Sequence, residues 1–324
     1  MDSIRRNSTA SEKAYLSGLH QFQSFLFQDD KLNKYSVETI VSPLLKQEIN
    51  LYELLDRFVS FLSSVNLFGY SIKLYMTDLR SYLAYYMVPS KFKRKIKMPK
   101  SYREDEEALD VRDIRNILLV CTNHRLKAYI MVLASGGFRA VEALAIGFKD
   151  TDFTSSPTKI HVRKEYLKTR VSRDVYVSDE ATKFLKDWIN WKYKDKNYDW
   201  TKNMKSDDLV FGEYRVKSKA NPKNIYFKII HKFEKLLSVA GMDEKKEGGL
   251  GKRRKVTLHS LRRFVKAVIS DQVGQIYSEW FLAHTKSSYY TKEEINRREI
   301  YATKCLKYLT FLDYTTLEAR GKRN

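Results

Sequence analysis

The sequence predicts a mainly α protein with a small antiparallel β-sheet, in two domains. Three observations predict it. Apolar residues recur at helical spacing through most of the 324 residues. Between Asp152 and Val177 that spacing gives way to alternation. A basic run bracketed by two prolines divides the helical stretches into an N-terminal and a C-terminal set.

Tyr15, Leu19, Phe22 and Leu26 share one helical face, as do Leu51, Leu54, Leu55, Phe58 and Leu62, and then Ile72, Tyr75, Met76, Leu79 and Leu83. Short polar breaks separate them, so residues 1–88 read as a compact helical domain. Residues 89–104 read as the linker. Pro89 and Pro99 disfavour helix at and just before their own positions. Lys91, Lys93, Arg94, Lys95, Lys97 and Lys100 give this stretch its charge. Solubility alone explains a basic linker as well as contact with a phosphate backbone does.

Residues 105–324 form the second domain. Val111, Ile114 and Leu118 predict a helix, and Leu126 to Ala134 a second one that Gly136-Gly137 ends. Phe138 begins a third. Ile160 with Val162, and Val175 with Val177, alternate with polar residues as two strands around a turn at Lys168 to Ser172. Helical spacing returns at Ala181–Trp191, Ile225–Val239 and Leu258–Ser270. Asp243 to Lys255 reads as a mobile basic loop. A tail helix is expected from about Lys292, with Tyr301, Cys305, Tyr308 and Leu312 as its apolar stripe.

The 43% hydrophobic and 13% aromatic content is enough for packed cores, which excludes a disordered basic tail. Sixty Lys and Arg against 39 Asp and Glu leave a net charge of +21, which favours a polyanionic partner, most simply nucleic acid. An acidic membrane surface is the competing reading. No stretch approaches the ~20 apolar residues that span a bilayer. Met1 to Lys13 is polar, without a signal-peptide core. The expectation is a soluble, cytoplasmic protein with no membrane partner. Two distant cysteines, with neither Cys-x-x-Cys nor His-Glu-x-x-His, lead us to expect no disulfide framework, metal or cofactor.

The chemistry concentrates in Thr257-Leu258-His259-Ser260-Leu261-Arg262-Arg263-Phe264. At a helix start, His259 and Arg262 share one face and can address one anionic group. No acid occurs from Lys252 to Lys266, while Lys252, Arg253, Arg254 and Lys255 are all basic. Three further features belong to the same domain: Arg139 just after the Gly-Gly break, Lys168 in the turn, and His284 shortly before Tyr289 and Tyr290. Each has a plain alternative. Arg139 can simply pair with Glu142, a turn lysine is solvated, His284 follows an apolar Trp-Phe-Leu run, and Tyr289 is one of 22 tyrosines.

The order Arg, Lys, His-x-x-Arg, His, Tyr resembles the tyrosine recombinase (phage integrase) family. Gly136 to Leu144 resembles its arginine motif, with Arg-x-x-Glu-x-Leu intact, and Leu167 to Val177 its lysine hairpin. Thr257 to Arg262 fits the His-x-x-Arg box, and Leu282-Ala283-His284 is similar to Leu-Gly-His. The resemblance covers roughly Leu109 to Tyr290. It implies a SAM-like, helical core-binding domain ahead of the catalytic domain, double-stranded DNA as partner, self-assembly from dimer to tetramer on that DNA, and a 3′-phosphotyrosine intermediate. It also implies that C-terminal elements are exchanged between protomers, although packing on the tail's own domain is an equal alternative.

The residues fit that chemistry. A tyrosine phenol, pKa ~10, needs help to lose its proton. His259 can take it. Arg139 and Arg262 offer forked donors to phosphoryl oxygens, and His284 adds another. Lys168 can protonate the departing 5′-oxygen. Lys91, Lys93, Arg94, Lys95, Lys97, Arg170, Arg173, Lys252, Arg253, Arg254 and Lys255 are the expected DNA contacts, the last four also readable as a nuclear-import signal.

Two departures from the family pattern stand out. Bacterial and phage members place the nucleophile about two helical turns, roughly nine residues, after the last histidine. Here Tyr289 and Tyr290 follow His284 by five and six, a spacing that resembles archaeal and archaeal-virus integrases. Ala283 replaces the motif's glycine. Tyr289 is the expected nucleophile, Tyr290 the alternative, and Tyr301 a distant third. The same residues would serve a type IB topoisomerase, and altered spacing would suit a non-catalytic DNA-binding member of the fold.

Overall fold

A computed structural model describes residues 9–88, 96–100, 109–166, 172–193, 207–212, 222–246, 254–284 and 288–312. The chain forms two compact units, one built on residues 1–106 and the other on residues 107–244 and 254–324. Each has a separate apolar core.

The first unit holds α1 (Thr9–Gln28), α2 (Val41–Leu45), α3 (Leu51–Ser64) and α4 (Gly69–Tyr85). Asn50 starts α3 because its side chain accepts from the backbone N–H groups of Tyr52 and Glu53 at 3.0 and 3.2 Å, two donors no helical carbonyl can reach. The stripe Leu54, Leu55, Phe58, Val59 and Leu62 is buried, as is Ile72, Met76, Leu79 and Leu83 of α4. Phe22 meets Phe58 edge-on with ring centroids 5.2 Å apart. The short α2 left no sequence signal, since five residues around Pro43 make barely one turn.

The second unit begins with α5 (Val111–Val120), opened by a reciprocal cap between Asp110 and Asp113. Then follow α6 (His124–Gly136) and α7 (Ala140–Leu144). Arg125, Leu126 and every residue from Ala128 to Gly136 are buried, so α6 is the central rod of this unit. Next come β1 (Thr151–Asp152), β2 (Thr158–Val162) and β3 (Arg173–Val177). They form one antiparallel sheet in that order, with Ile160 opposite Val175 and Val162 opposite Arg173. The fold is thus mainly helical with a small antiparallel sheet, as expected. Helices α8 (Asp179–Lys192), α9 (Pro222–Val239), α10 (Leu258–Gln272) and α11 (Gln275–Phe281) complete the body. The seven-residue α11 was not anticipated; its Tyr-Ser-Glu-Trp-Phe run is too short for a period to show.

The tail starts at α12 (Glu294–Ile300), then tightens through a π turn at Tyr301–Cys305 and a 3-10 turn at Leu306–Tyr308. Up to Leu312 it packs on its own unit. Tyr301 and Cys305 are buried, the Tyr301 hydroxyl donates to the Ser135 carbonyl at 3.1 Å, and the Phe311 and Leu312 N–H groups each donate to Glu180 at 2.6 Å. No described helix is long and apolar enough to cross a membrane. Among the described residues no group of His, Cys, Asp or Glu could hold a metal ion, and Cys121 and Cys305 are both free.

Candidate active site

The site is organised around Arg262, which is 2% exposed. Thr257 precedes α10, and its backbone N–H donates to the Ser260 hydroxyl at 3.0 Å, a cap that sets the direction of the first turn. One turn on, the Arg262 guanidinium donates through Nη1 to the Gly137 carbonyl at 2.6 Å and through Nη2 to the Leu282 carbonyl. The arginine therefore ties together the ends of α6, α10 and α11. Its burial, with Arg139 and Arg173 nearby, lowers its pKa to about 9, which still leaves it charged at neutral pH.

Gly137 makes this approach possible. It ends α6 in the left-handed region at φ 62°. A Cβ there would sit 2.7 Å from Leu282 Cδ2 and 2.9 Å from Val265 Cγ1. The residue after next, Arg139, opens α7, and Glu142 bends back to it. Glu142 accepts from the Arg139 N–H at 3.2 Å and from its Nη1 at 2.6 Å. Its other partner is Arg173, whose Nη2 lies 3.1 Å from Glu142 Oε2. Burial opposes the Glu142 charge, but Arg173, Arg139 and Arg262 outweigh it and hold the carboxyl below its ordinary pKa.

That pairing corrects one expectation. Arg173 was expected to contact DNA, yet it is 3% exposed, its guanidinium turned inward onto Glu142. A basic residue at the start of β3 looks solvated in sequence because its carboxylate partner lies 31 residues away.

Two histidines flank the arginines. His259 is exposed in the first turn of α10. Desolvation, then Arg262 and Arg139, lower its pKa below the ordinary value. His284 follows α11, and its Nδ1 lies 3.0 Å from Glu279 Oε2. Glu279 Oε1 in turn lies 3.0 Å from Lys266 Nζ, one turn beyond Arg262. Desolvation and the charges of Arg262, Lys266 and Arg139 lower the His284 pKa, against the opposing pull of Glu279. Arg139, His259, Arg262 and His284 thus form one electrostatic centre. Glu279 was missed in the sequence, where Lys266 was read only as the end of an acid-free basic stretch with no partner anticipated.

Tyr289 lies in a 3-10 turn at Ser288–Tyr290. Its ring packs edge-on against Tyr277 at 5.1 Å and tilts against Trp280 at 6.5 Å, with Lys292 Nζ 4.8 Å above it. The Tyr290 side chain lies outside the described residues. Tyr301 is fully buried and stacked on Phe281 at 5.5 Å, and burial drives its phenol pKa far up. It is a core residue.

Lys168 and Arg170 lie outside the described residues, in the connection between β2 and β3. So do Lys91, Lys93, Arg94, Lys95, Lys252 and Arg253. Lys97 is exposed. Arg254 and Lys255 are engaged with Asp243 and Glu244, Lys255 Nζ at 2.8 Å from Glu244 Oε2.

Transposase A from transposon Tn554 of Staphylococcus aureus is 20% identical over 164 residues, 49% of this chain and 44% of that protein. The chain therefore spans under half the length of this relative. Among solved structures, XerH site-specific recombinase bound to palindromic difH substrate in a post-cleavage complex superposes with a TM-score of 0.55 at 17% identity, covering 96% of this chain and 79% of that one. A lambda integrase(75-356) dimer bound to a COC′ core site gives 0.52 at 13% identity, over 86% and 98%. The Tn1549 transposon integrase in complex with transposon right end DNA gives 0.52 at 12% identity, over 94% and 98%. These likenesses are likenesses of fold. Residues 107–294, more than half of the chain and the whole stretch that carries the arginine and histidine centre, match the phage integrase family, and the protein belongs to it.

Proposed function

We propose that this protein is a site-specific DNA recombinase that cuts and rejoins strands through a covalent 3′-phosphotyrosine, integrating or excising a mobile element. The observation that carries the reading is the Arg139–Arg262 pair. Glu142 holds the first and two backbone carbonyls the second, between two histidines whose pKa values are depressed. Fixed guanidinium donors stabilise charge that develops on phosphoryl oxygens without reorganising when it forms.

In the proposed step the phenolic oxygen of Tyr289, with Tyr290 as alternative, attacks phosphorus. The phenolic proton goes to His259, whose neutral form is favoured by desolvation and by the charges of Arg262 and Arg139. The bond to the 5′-oxygen breaks, and Lys168 protonates that oxygen. Arg139, Arg262 and His284 contact the non-bridging oxygens. Religation runs the same steps backward from a second 5′-hydroxyl. Lys97 and the basic residues around it would contact duplex phosphates, with assembly as dimer to tetramer on the DNA. An archaeal affinity rests on the five-residue spacing from His284 to Tyr289. A type IB topoisomerase activity is the second reading, since the same groups would serve it.

The test is an SDS-resistant protein–DNA adduct on a nicked duplex carrying the element's end, formed by wild type, Tyr289→Phe and Tyr290→Phe. Loss in Tyr289→Phe alone is expected. Loss in Tyr290→Phe alone would reassign the nucleophile. No adduct from wild-type protein that demonstrably binds the duplex would overturn strand cleavage.

A further inference from the structure

Glu279 faces the candidate site from α11 and carries a task that the strand-cleavage chemistry leaves unassigned. One of its oxygens meets His284 Nδ1 and the other meets Lys266 Nζ, both at 3.0 Å. Its backbone is engaged as well, because the His284 N–H donates to the Glu279 carbonyl at 3.0 Å. The carboxyl is ionised at neutral pH. Its desolvation is outweighed by Lys266 and His284, which hold its pKa below the ordinary value. An ionised carboxylate can only accept. The ring nitrogen that faces it must therefore bear the proton, and the other nitrogen of a neutral imidazole is then a lone pair.

We propose that Glu279 is a positioning residue that fixes the His284 proton on Nδ1, so that neutral His284 presents a lone pair at Nε2 and only the protonated ring can donate there. The consequence for chemistry rests on the proposed strand cleavage. A phosphoryl oxygen accepts and does not donate, so a contact from His284 Nε2 needs the imidazolium. The groups facing the ring pull in opposite directions. Arg262 and Lys266 from α10 and Arg139 from the start of α7 disfavour a second positive charge, while Glu279 from α11 favours it. A bound phosphodiester would add a further negative charge and tip the balance towards the donor form. His284 thus becomes a phosphate donor when substrate arrives or when pH falls. His259 must stay neutral to accept the phenolic proton.

The tautomer can be read without any substrate. The 324-residue chain with ¹⁵N-labelled histidine has six imidazoles, and His284→Gln identifies the signal of interest. At about pH 7.5 the wild-type His284 ring is expected in the Nδ1–H form by roughly tenfold, the bias a charge-assisted hydrogen bond supplies. In Glu279→Gln the bias is expected to collapse, because an amide can turn to donate or accept. Lys266→Met, which leaves the Glu279–His284 contact in place, is expected to keep it. A wild-type ring protonated at Nε2 would overturn the proposal, and so would an unchanged bias in a folded Glu279→Gln. Should Glu279→Gln unfold, the wild-type and Lys266→Met spectra still decide.

A pH series of adduct formation on the nicked duplex then tests the consequence. The wild-type yield should fall as pH rises towards about 8, where His284 is neutral, and Glu279→Gln should flatten that fall. A wild-type profile that stays flat with the Nδ1–H form established would remove His284 as a phosphate donor. The correct tautomer with no adduct at any pH would count against strand cleavage alone.

Discussion

Arg262 and Tyr289 are the two residues of which the proposed reaction asks most, and they sit in different surroundings. Arg262 is 2% exposed, bonded to two backbone carbonyls, and surrounded by Arg139, Arg173 and Glu142. Tyr289 is half-buried in a three-residue turn and leans on the rings of Tyr277 and Trp280. Charge-assisted hydrogen bonds to two backbone carbonyls anchor the first, and packing against two aromatic rings helps seat the second. The contrast follows from what each group would do. A donor fork must meet phosphoryl oxygens at hydrogen-bond distance, and misplacement by a few tenths of an ångström weakens it. A nucleophile must move onto phosphorus and remain attached, and ring packing of about 1 kcal/mol can be exchanged at small cost.

The comparison is broken most directly by removing each residue. Arg262→Ala leaves the buried Gly137 and Leu282 carbonyls without their donor and removes a large buried side chain, with an expected loss of about 3–5 kcal/mol. Tyr289→Phe removes one hydroxyl and is expected to change stability by less than about 1 kcal/mol while abolishing the adduct. Urea unfolding of both variants measures the contrast. Equal losses would mean that the two ends are anchored alike. The next largest effect is expected at Gly137. An alanine there combines a left-handed φ with contacts below 3.0 Å to Leu282 and Val265, for a loss of about 2–3 kcal/mol. A loss no larger than helix propensity would show that Arg262 does not depend on that close approach.

The third prediction uses pH. Folding lowers the pKa of His259 and His284, so below about pH 6.5 the unfolded chain binds more protons than the folded one, and stability falls. Glu142 and Glu279, also depressed, add a second loss below about pH 4.5. Thermal midpoints between about pH 7.5 and 5.5 are expected to fall in wild type and to fall less in the double variant His259→Gln, His284→Gln. An unchanged slope would place the acid sensitivity elsewhere. The smallest effect is expected at Ala283, a buried non-glycine residue at φ 50°. Ala283→Gly relieves left-handed strain but loosens the unfolded chain, so a gain of at most about 1 kcal/mol is expected. Calorimetry would detect it, and a clear loss would mean that the alanine methyl contributes more to packing than it costs in backbone strain.

Much of the second unit was legible in the sequence. The helical stripes, the Gly136-Gly137 stop and the alternating strands all rest on periods of a few residues, which local sequence carries in full. His259 and Arg262 were legible for the same reason, because three residues on a helix fix a shared face. Arg173 was misread, Glu279 was overlooked and Lys266 was read without its partner, because their partners are distant in sequence or lie on another helix. Tyr301 and Tyr289 are both tyrosines near helical runs. The apolar stripe through Cys305, Tyr308 and Leu312 already set Tyr301 apart, and its burial, with its hydroxyl on Ser135, agrees.

By itself the sequence determined the fold class, the basic character and the order of chemical groups, since composition and short periods need no knowledge of what packs where. Only the tertiary structure decided which charges are used internally and which face a ligand. Arg173 reaches Glu142 across 31 residues, Arg262 reaches carbonyls 125 and 20 residues away, and Glu279 turns to His284. Pairing between charges that are not helical neighbours depends on distance in space through a low-dielectric interior, and no local pattern in a chain encodes it.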